Sequence, residues 1–441
     1  MSIKRHCSPV ATWANTAMAA IVREAAPNQI YAWGSNASGL LGIGDCEDKP
    51  TPERVKLSNT TNIKEIDSGG CSTIIVDTDD NVYVAGENIK GLLGLDSTDW
   101  KLKVCTFTKI PTLLQRKVIK VSCGWWHALA VADNGASLFG WGWNKYGQLG
   151  INAKSNDGIF EGGRLSYNCP KETVILPTEI VCADANEQIY VDVSCGWKHS
   201  LLLLSNGIVY SSGSNIHGQL GMDNTTTKCL HSFHKVPTHR TASNDCKLQI
   251  INICCGWQHS SALGKIVGHS SSSSTLVLTW GSNKFFQLGR KSKDSVQQAL
   301  SDYNPGVVKA LNDIEICSIR SGWSHMIALC ANGFVYSWGR ANFGQCGRVD
   351  NNSVQSLCHG KGTSPVAKIV SLSSIKCIAC GSEHSAAVDV NGALFTWGWN
   401  EHGNLGQPGM PLSRIPIPVV AMEKTVHGVE CGGAITIAIT G

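Results

Sequence analysis

Cysteine and histidine recur together along this chain in five-residue frames of the form Cys-Gly-x-x-His, a pairing that could ligate a metal ion. Four frames are complete, and they begin at Cys123, Cys195, Cys255 and Cys380. A structural zinc site needs four ligands at one place, whereas each frame belongs to a different repeat unit. We therefore expect no metal, and we interpret the periodic cysteines as small buried apolar side chains.

Sequence motifs for nucleotide hydrolysis or nucleophilic catalysis are absent. The chain has no Gly-x4-Gly-Lys-Ser/Thr loop to cradle phosphates and no Gly-x-Ser-x-Gly elbow between a strand and a helix. We predict no catalytic residue, no cofactor and no covalent chemistry of the chain's own.

The position before each frame histidine varies, while the rest of the frame repeats. A fifth frame has Ser321 in place of the cysteine. The side chains before the five histidines are Trp126, Lys198, Gln258, Ser324 and Glu383. Variation inside a repeated framework is typical of a binding surface, although a neutral surface also varies. We predict that these residues mark one rim of the fold, where they contact a partner.

The frame histidines themselves are predicted to be structural. They recur with the period of the repeat, at His127, His199, His259, His325 and His384. A periodic histidine is expected to form hydrogen bonds between neighbouring repeat units rather than to act in catalysis.

A second, Gly-centred motif alternates with the frames and returns every 52 to 71 residues. Its clearest copies begin at Trp33, Trp141, Trp280, Trp338 and Trp397, and weaker ones centre on Gly86 and Gly213. A Gly-x-Leu-Gly sequence or a variant follows at a fixed offset. With degenerate frames at Ser68 and Cys431 and a frame that starts with Ser321, both motifs occur seven times.

Between a frame and the next Trp-Gly motif, two apolar stretches flank a turn sequence. Asn-Gly occupies this turn at Asn134, Asn206, Asn332 and Asn391. It indicates a hairpin, because both of its residues take positive φ readily. The repeating unit is then a small antiparallel sheet, and seven such sheets predict an all-β, seven-bladed β-propeller.

The two ends of the chain carry complementary halves of one unit. The Trp-Gly motif at Trp33 lacks a preceding frame, and the frame at Cys431 lacks a following Trp-Gly motif. We predict that the C-terminal strands pair with the N-terminal strand near Tyr31, which closes the ring and removes open sheet edges.

Composition is consistent with one repeat domain over residues 29–441, preceded by a flexible extension at residues 1–28, for which a targeting peptide is the alternative. The net charge of +4 does not indicate binding to nucleic acid. The sequence contains no run of eighteen apolar residues, so we expect no membrane insertion. We expect a monomer.

Nineteen cysteines, periodic and odd in number, favour reduced thiols and a cytoplasmic location, with the nucleus as a further compartment.

The paired motifs resemble those of the regulator of chromosome condensation repeat family over residues 29–441. Two stretches, at residues 321–344 and 380–403, are most similar to the branch of secretion-regulating guanine nucleotide exchange factors. The resemblance implies a seven-bladed propeller and a small GTPase as partner, with a function in secretion or trafficking. Exchange requires tighter binding to the nucleotide-free GTPase than to the nucleotide-bound one.

Two positions argue against strong exchange on Ran. In the family's exchange factor for Ran, an Asp and a His that matter for exchange precede frame histidines, and our alignment places Lys198 and Ser324 there. A lysine cannot repel phosphate as a carboxylate can. We therefore expect GTPase binding with weak or absent exchange on Ran.

Other functions remain open. A non-catalytic scaffold or adaptor, including a ubiquitin-ligase adaptor, is the main alternative; a ligase domain is not expected, since the chain ends with the last repeat unit. Ultraviolet sensing is less favoured, because the family's photoreceptor places Arg after each frame tryptophan and this chain does not. Of three insertions, at residues 151–190, 222–248 and 264–275, we expect the first to contact a partner.

Overall fold

The computed structural model describes residues 28–57, 62–151, 172–182, 188–238, 247–267, 275–290, 300–348, 363–422 and 424–441. Within these ranges the chain forms seven antiparallel sheets of four strands each. The prediction of a seven-bladed β-propeller is confirmed. We number the blades in chain order, and the blade that contains both chain ends is blade 7.

Each blade has an inner and an outer half, and its inner half consists of the two strands nearest the channel. From blade 1 to blade 7, the innermost strands are β3 (Ile63–Ser68), β7 (Lys120–Cys123), β11 (Tyr190–Cys195), β15 (Lys247–Cys255), β19 (Ile316–Ser321), β23 (Ile375–Cys380) and β27 (Val426–Cys431). In the same order, the second strands are β4 (Ser72–Asp77), β8 (His127–Ala132), β12 (His199–Leu204), β16 (His259–Val267), β20 (His325–Cys330), β24 (His384–Asp389) and β28 (Ile435–Thr440).

The outer half of each blade consists of a third and a fourth strand. The third strands are β5 (Val82–Glu87), β9 (Ser137–Trp143), β13 (Val209–Ser214), β17 (Thr275–Ser282), β21 (Val335–Arg340), β25 (Leu394–Trp399) and β1 (Gln29–Gly34). The outermost strands are β6 (Lys103–Lys109), β10 (Thr173–Glu179), β14 (Cys229–Lys235), β18 (Ser301–Val307), β22 (Thr363–Lys368), β26 (Leu412–Pro418) and β2 (Lys49–Arg54). Short 3-10 helices lie at Ile89–Gly91, Pro111–Leu113, Asp133–Gly135 and Lys309–Leu311.

Blade 7 closes the ring, and its strand order is β2-β1-β28-β27. Strand β1 pairs with β28 along its whole length, and Tyr31 lies opposite Ala438. The predicted pairing of the two chain ends is thereby confirmed. The edge of β1 that would have been open is covered by a segment distant in sequence, which is how a propeller avoids edge-to-edge association.

The apolar core is divided into seven clusters, one between each pair of neighbouring blades. In one of them, Val84 of blade 1 packs in the same cluster as Trp141 of blade 2, and both side chains are 0% exposed. The Trp-Gly tryptophans also cross these boundaries by a hydrogen bond, since Trp141 Nε1 donates to the Leu92 carbonyl at 2.9 Å. Stability therefore depends on contacts between blades, as expected for a repeat protein.

The frame cysteines are buried, as predicted. Cys123, Cys195, Cys255 and Cys380 are between 6% and 9% exposed. Burial raises the pKa of each of these thiols. They pack as small apolar side chains at the ends of the innermost strands.

The hairpin turns differ from the expectation in their backbone geometry. Asn134 and Gly135 both have positive φ, but at the other three Asn-Gly turns only the glycine does. At Asn206-Gly207, for example, the Gly207 amide donates to the Leu204 carbonyl at 2.9 Å. This is a three-residue loop in which one glycine takes the left-handed conformation, so the prediction of two positive φ values is wrong there.

The Trp-Gly glycines are required where the third strand of a blade meets the frame. Gly142 has a φ of +94°, and a Cβ at this residue would lie 2.5 Å from the Trp126 carbonyl oxygen. The register between β9 and β10 shifts close to this point, which marks a β-bulge. A side chain would both strain the backbone and collide with the frame.

Residues 151–190 and 264–275 lie largely outside the described residues, whereas most of 222–248 is described and contains strand β14. The residues outside the description include 152–171, 183–187, 239–246 and 268–274, and also 1–27 of the N-terminal extension. The expected partner contact at residues 151–190 therefore stays a prediction.

Candidate functional site

Both sequence motifs lie on one face of the propeller. The frame connects the innermost strand to the second strand, and the Trp-Gly motif ends the third strand beside it, as the pairing of His127 with Gly142 shows. We call this surface the motif face. The Asn-Gly hairpins connect the opposite ends of the second and third strands, and they lie on the other face.

Four frame tryptophans, each from a different blade, meet over the channel at the motif face. Trp257 lies at the centre, with ring centroids 4.5 Å from Trp197 and 4.1 Å from Trp323. Trp125 reaches across the ring to Trp323, at 5.3 Å. All four are half-buried, so they form an aromatic patch that is open to solvent, which we call the Trp lid.

The remaining three frames carry small residues at the Trp lid position, namely Gly70, Ser382 and Gly433. A Cβ on Gly70 would come within 2.4 Å of the Trp125 ring. Gly70 thus leaves the space that the Trp125 ring of the next blade occupies, and a larger side chain at this residue would collide with that ring.

Beneath the Trp lid, the innermost strands enclose a cavity of about 220 Å³. Its lining includes the charged residues Glu65, Asp67, Lys120, Asp192, Arg320 and Glu430. Lys120 Nζ forms an ion pair with Glu65. Burial, reinforced by the nearby charge of Asp67, raises the pKa of Glu430 to about 8, so that this carboxyl is largely protonated at neutral pH.

The five frame histidines connect neighbouring blades. His127 Nε2 lies 2.8 Å from the Ser200 hydroxyl of the next blade. Ser200 in turn donates to the Gln148 carbonyl at 2.7 Å. Because the serine donates there, His127 must donate through Nε2, which fixes the tautomer with the hydrogen on that nitrogen.

The same connection recurs from three other frame histidines, and in one of these cases the acceptor is a threonine. It joins His199 to Ser260, His325 to Ser385 and His384 to Thr436, at 2.9 to 3.0 Å. Burial lowers the pKa of the first two histidines to about 3 and that of His384 to about 4. A neutral imidazole locked in one tautomer holds the ring together and is not placed for proton transfer.

Lys198 occupies an aromatic box on the motif face. Its ammonium lies 3.7 Å from the centroid of the Trp197 ring, 4.6 Å from that of Tyr146 and 5.9 Å from that of Trp143. Lys198 Nζ also donates to the Tyr146 hydroxyl at 3.3 Å. The positive charge is half-buried and held in place by cation–π attraction.

Glu383 occupies the corresponding position in blade 6, but its carboxylate is buried. Only 5% of the residue is exposed. It forms an ion pair with Arg340 and accepts a hydrogen bond from the Gln345 side chain. The Arg340 guanidinium in turn lies 5.0 Å from the Phe285 ring and 5.1 Å from the Phe343 ring. Arg340, rather than Glu383, is the charged group nearer to solvent.

Two of the five predicted rim residues, Trp126 and Lys198, contact the same aromatic ring. Trp126 lies 5.0 Å from the Trp143 ring, and the Lys198 ammonium contacts the same ring. Gln258 and Ser324 are half-exposed beside the Trp lid in blades 4 and 5.

The sequence analysis missed a set of aromatic residues, one from each of five blades, on the motif face. These residues stand five positions after the start of the Trp-Gly motif, at Tyr146, His217, Phe285, Phe343 and His402. Their common offset was a signal that could have identified them. They belong to blades 2 to 6, whereas blades 7 and 1 carry Ser38 and Lys90 at this position, and with Trp143 and Trp399 they make this part of the motif face rich in aromatic side chains.

Within the part of the chain that the structure describes, no helix combines the length and apolar character needed to cross a bilayer.

Comparison with known proteins places these features in a family. A family model described as an RCC1-like domain matches residues 29–438. The secretion-regulating guanine nucleotide exchange factor of Bos taurus is 28% identical over 426 residues, covering 93% of this chain and 82% of the relative. The ultraviolet-B receptor UVR8 of Arabidopsis thaliana is 30% identical over 333 residues, covering 74% of this chain and 64% of the receptor.

A solved structure has the same fold. Prp20p from Saccharomyces cerevisiae, described together with its binding to Gsp1p and histones, superimposes with a TM-score of 0.73. The sequences are 23% identical, and the match covers 95% of this chain and 92% of Prp20p.

Proposed function

The chain belongs to the RCC1-like domain family, and on that premise we propose that it binds a small GTPase on its motif face and regulates it as a guanine nucleotide exchange factor-like protein in secretion or trafficking. The similarity to the secretion-regulating exchange factor over 93% of this chain supports the class of partner. The binding site and the extent of exchange are inferred from the motif face itself.

The observation that carries the proposal is the aromatic surface with Lys198 fixed in its centre. Aromatic and arginine side chains are enriched at the energetic centres of protein interfaces. Here Trp126, Trp143 and Trp197 are all half-buried and contact one another or Lys198. A rigid aromatic surface loses little side-chain entropy on binding, which favours affinity.

Lys198 is suited to an acidic group of the partner. Its ammonium is held by aromatic faces and a hydroxyl. Among the residues that the structure describes, no carboxylate forms an ion pair with it. An Asp or Glu of a GTPase, or the phosphates of its nucleotide, would provide the missing anion. Attraction of phosphate is the opposite of what an exchange factor needs.

We therefore propose that exchange on Ran is weak or absent, while binding is retained. The family's exchange factor for Ran has an acidic residue where Lys198 stands and a histidine where Ser324 stands. Of the predicted rim residues, Trp126, Lys198, Gln258 and Ser324 would contact the partner directly. Glu383 would act indirectly, by holding Arg340 beside Phe343.

The test combines release of labelled GDP with a pull-down on a panel of small GTPases that includes Ran. The expected result is binding of at least one GTPase that Lys198→Glu weakens at least tenfold. Lys309→Glu is the matched control, because Lys309 is an exposed lysine in a 3-10 helix between two blades, away from the motif face.

Each outcome assigns the protein to one class. Accelerated GDP release from one member establishes an exchange factor, and acceleration on Ran contradicts the argument from Lys198. Binding without acceleration identifies a non-catalytic GTPase partner. Absence of binding across the panel rejects the proposal in favour of a scaffold or adaptor. The proteins that co-purify with the chain would then distinguish these two functions.

A further inference from the structure

Two cysteines from neighbouring blades meet at the outer edge of the motif face. Cys46 lies in the loop between β1 and β2 of blade 7, and Cys105 lies on β6 of blade 1. Their Sγ atoms are 2.7 Å apart. For comparison, the sulfurs of a disulfide are about 2.05 Å apart.

The backbone holds the two thiols together without a covalent bond. The Gly44 amide donates to the Cys105 carbonyl at 2.8 Å, and Ile43 pairs with Thr106 in an isolated antiparallel bridge. Beside Cys46 in the chain, the Asp45 carboxylate forms an ion pair with Lys49 at 2.9 Å. Cross-linking such a pair requires little backbone movement, which is the main condition for an unstrained disulfide.

We propose that Cys46 and Cys105 are a thiol–disulfide modification site. Exchange with a low-molecular-weight disulfide such as oxidised glutathione converts the two thiols into one disulfide, which links blade 7 to blade 1. The frame cysteines are excluded from such chemistry by burial. Cys46 is exposed, and Cys105 is half-buried beneath it.

The difference in exposure sets the order of the two steps. Burial raises the pKa of the Cys105 thiol to about 11, whereas Cys46 faces solvent. The Cys46 thiolate attacks one sulfur of the small disulfide, breaks its S–S bond and releases one thiolate. Cys105 then loses its proton and attacks the Cys46 sulfur of the mixed disulfide, which releases the second thiol. Two protein thiols and one small disulfide become one protein disulfide and two small thiols.

The link would reinforce the closure of the ring. The same loop already contacts blade 6, because Asp48 Oδ2 lies 2.7 Å from His402 Nδ1. It also contacts its own blade, where Asp48 accepts a hydrogen bond from the Asn36 amide at 2.6 Å. A disulfide to Cys105 would therefore tie the N-terminal strands between both neighbours, and it would restrict the unfolded chain.

The experiment uses the full chain, fully reduced and then incubated with oxidised glutathione. Remaining thiols are alkylated, and the digest is analysed by mass spectrometry with and without a reductant. The expected result is a pair of peptides joined through Cys46 and Cys105, which separates on reduction. The melting temperature of the oxidised protein is expected to rise by roughly 5 °C.

Two variants make the test specific. Cys46→Ser should abolish the linked peptides and the shift in melting temperature. Cys229→Ser is the matched control, because Cys229 is a half-buried cysteine on the outermost strand of blade 3, and it should leave both unchanged. Recovery of Cys46 and Cys105 as separate alkylated residues, or as separate glutathione adducts, would overturn the proposal. So would a linked pair with no change in melting temperature.

Discussion

His259 donates to the hydroxyl of Ser321 across the boundary between blades 4 and 5, at 2.9 Å. The other four frame histidines bond instead to a hydroxyl at the second residue of the next blade's second strand, such as Ser200 for His127. In blade 5 that residue is Met326. Ser321, which stands where the complete frames have cysteine, supplies the missing acceptor.

Removing this acceptor should destabilise the propeller. Ser321→Ala leaves the buried Nε2–H of His259 without a partner, and the free energy of unfolding should fall by about 1–3 kcal/mol. Chemical denaturation measures the change. Ser321→Thr keeps the hydroxyl and should be near wild type, and so should Ser324→Ala on the same turn. Equal loss in Ser321→Ala and Ser321→Thr would show that the hydroxyl is not what matters.

Acid should unfold the protein through its buried histidines. Burial lowers the pKa of His127, His199, His259 and His325 to about 3, while the unfolded side chains titrate near 6.5. The unfolded chain therefore binds protons that the folded chain does not. The contribution of these histidines to stability is complete above pH ~6.5, and it falls by up to about 1.4 kcal/mol per pH unit for each histidine as the pH drops toward 3.

A series of unfolding curves between pH 7 and pH 4 measures this dependence. His127→Gln, which retains a side-chain donor, should reduce the slope by the contribution of one histidine. His402→Gln is the control, because His402 is half-exposed on the rim. Stability that does not change between pH 7 and pH 5 would contradict the expectation.

Glu430 should cause a shallower decline of the opposite sign. Its folded-state pKa is raised to about 8, whereas an unfolded Glu titrates near 4.3, so the folded chain holds a proton that the unfolded chain releases. Stability from this group is complete below pH ~4.3 and is lost as the pH rises toward 8. Asp67, Arg320 and Lys120 face Glu430 in the channel and set the size of the effect.

The two contributions together predict maximal stability near pH ~7. Glu430→Gln should remove the decline between pH ~7 and pH 8, and it should steepen the rise between pH ~4.3 and pH 6.5, because the contribution of Glu430 opposes that of the histidines there. Thermal melts across this range test the prediction. A variant that declines as steeply as wild type would assign the effect to another group.

Ring closure should determine the stability of the whole propeller. Truncation from Val429 onward removes β28 and half of β27, which exposes the inner edge of β1. The melting temperature should fall sharply, or the protein should fail to fold, and removal of Gly441 alone should have no effect. An unchanged melt after the longer truncation would contradict the closure seen between Tyr31 and Ala438.

Glu383 should matter for stability more than for direct partner contact. Glu383→Ala leaves Arg340 without its carboxylate and Gln345 without its acceptor, and loss of one partner from a largely buried ion pair costs about 3 kcal/mol. Denaturation of Glu383→Ala and of the exposed control Glu401→Ala measures the difference. Full stability in Glu383→Ala would show that solvent replaces the lost contacts.

The fold was predictable because its signals are local and repeated. The frames and Trp-Gly motifs fix where each blade begins, and the unmatched motifs near Trp33 and Cys431 specify the closing pair. Seven similar units with one unit divided between the chain ends leave few other arrangements that satisfy every sheet edge. The turn geometry at Asn206-Gly207 was mispredicted, because the loop length, which selects the turn type, is set by the pairing of the strands.

The candidate site was predicted less completely, for a physical reason. The sequence identified which positions vary, and so it pointed to Lys198 and Trp126. It did not show that Lys198 meets Tyr146 or that Glu383 is buried against Arg340 and Gln345, because the residues of these pairs are 38 to 52 positions apart in sequence.

The sequence by itself determined the repeat, the number of blades and the pairing of the ends, since periodic apolar and glycine positions dictate local strands and turns. Only the tertiary structure decided which side chains meet. The circular arrangement brings Trp125 against Trp323 and Cys46 against Cys105. Such contacts depend on the radius of the ring and the packing between blades, and neither quantity is encoded at any single position of the chain.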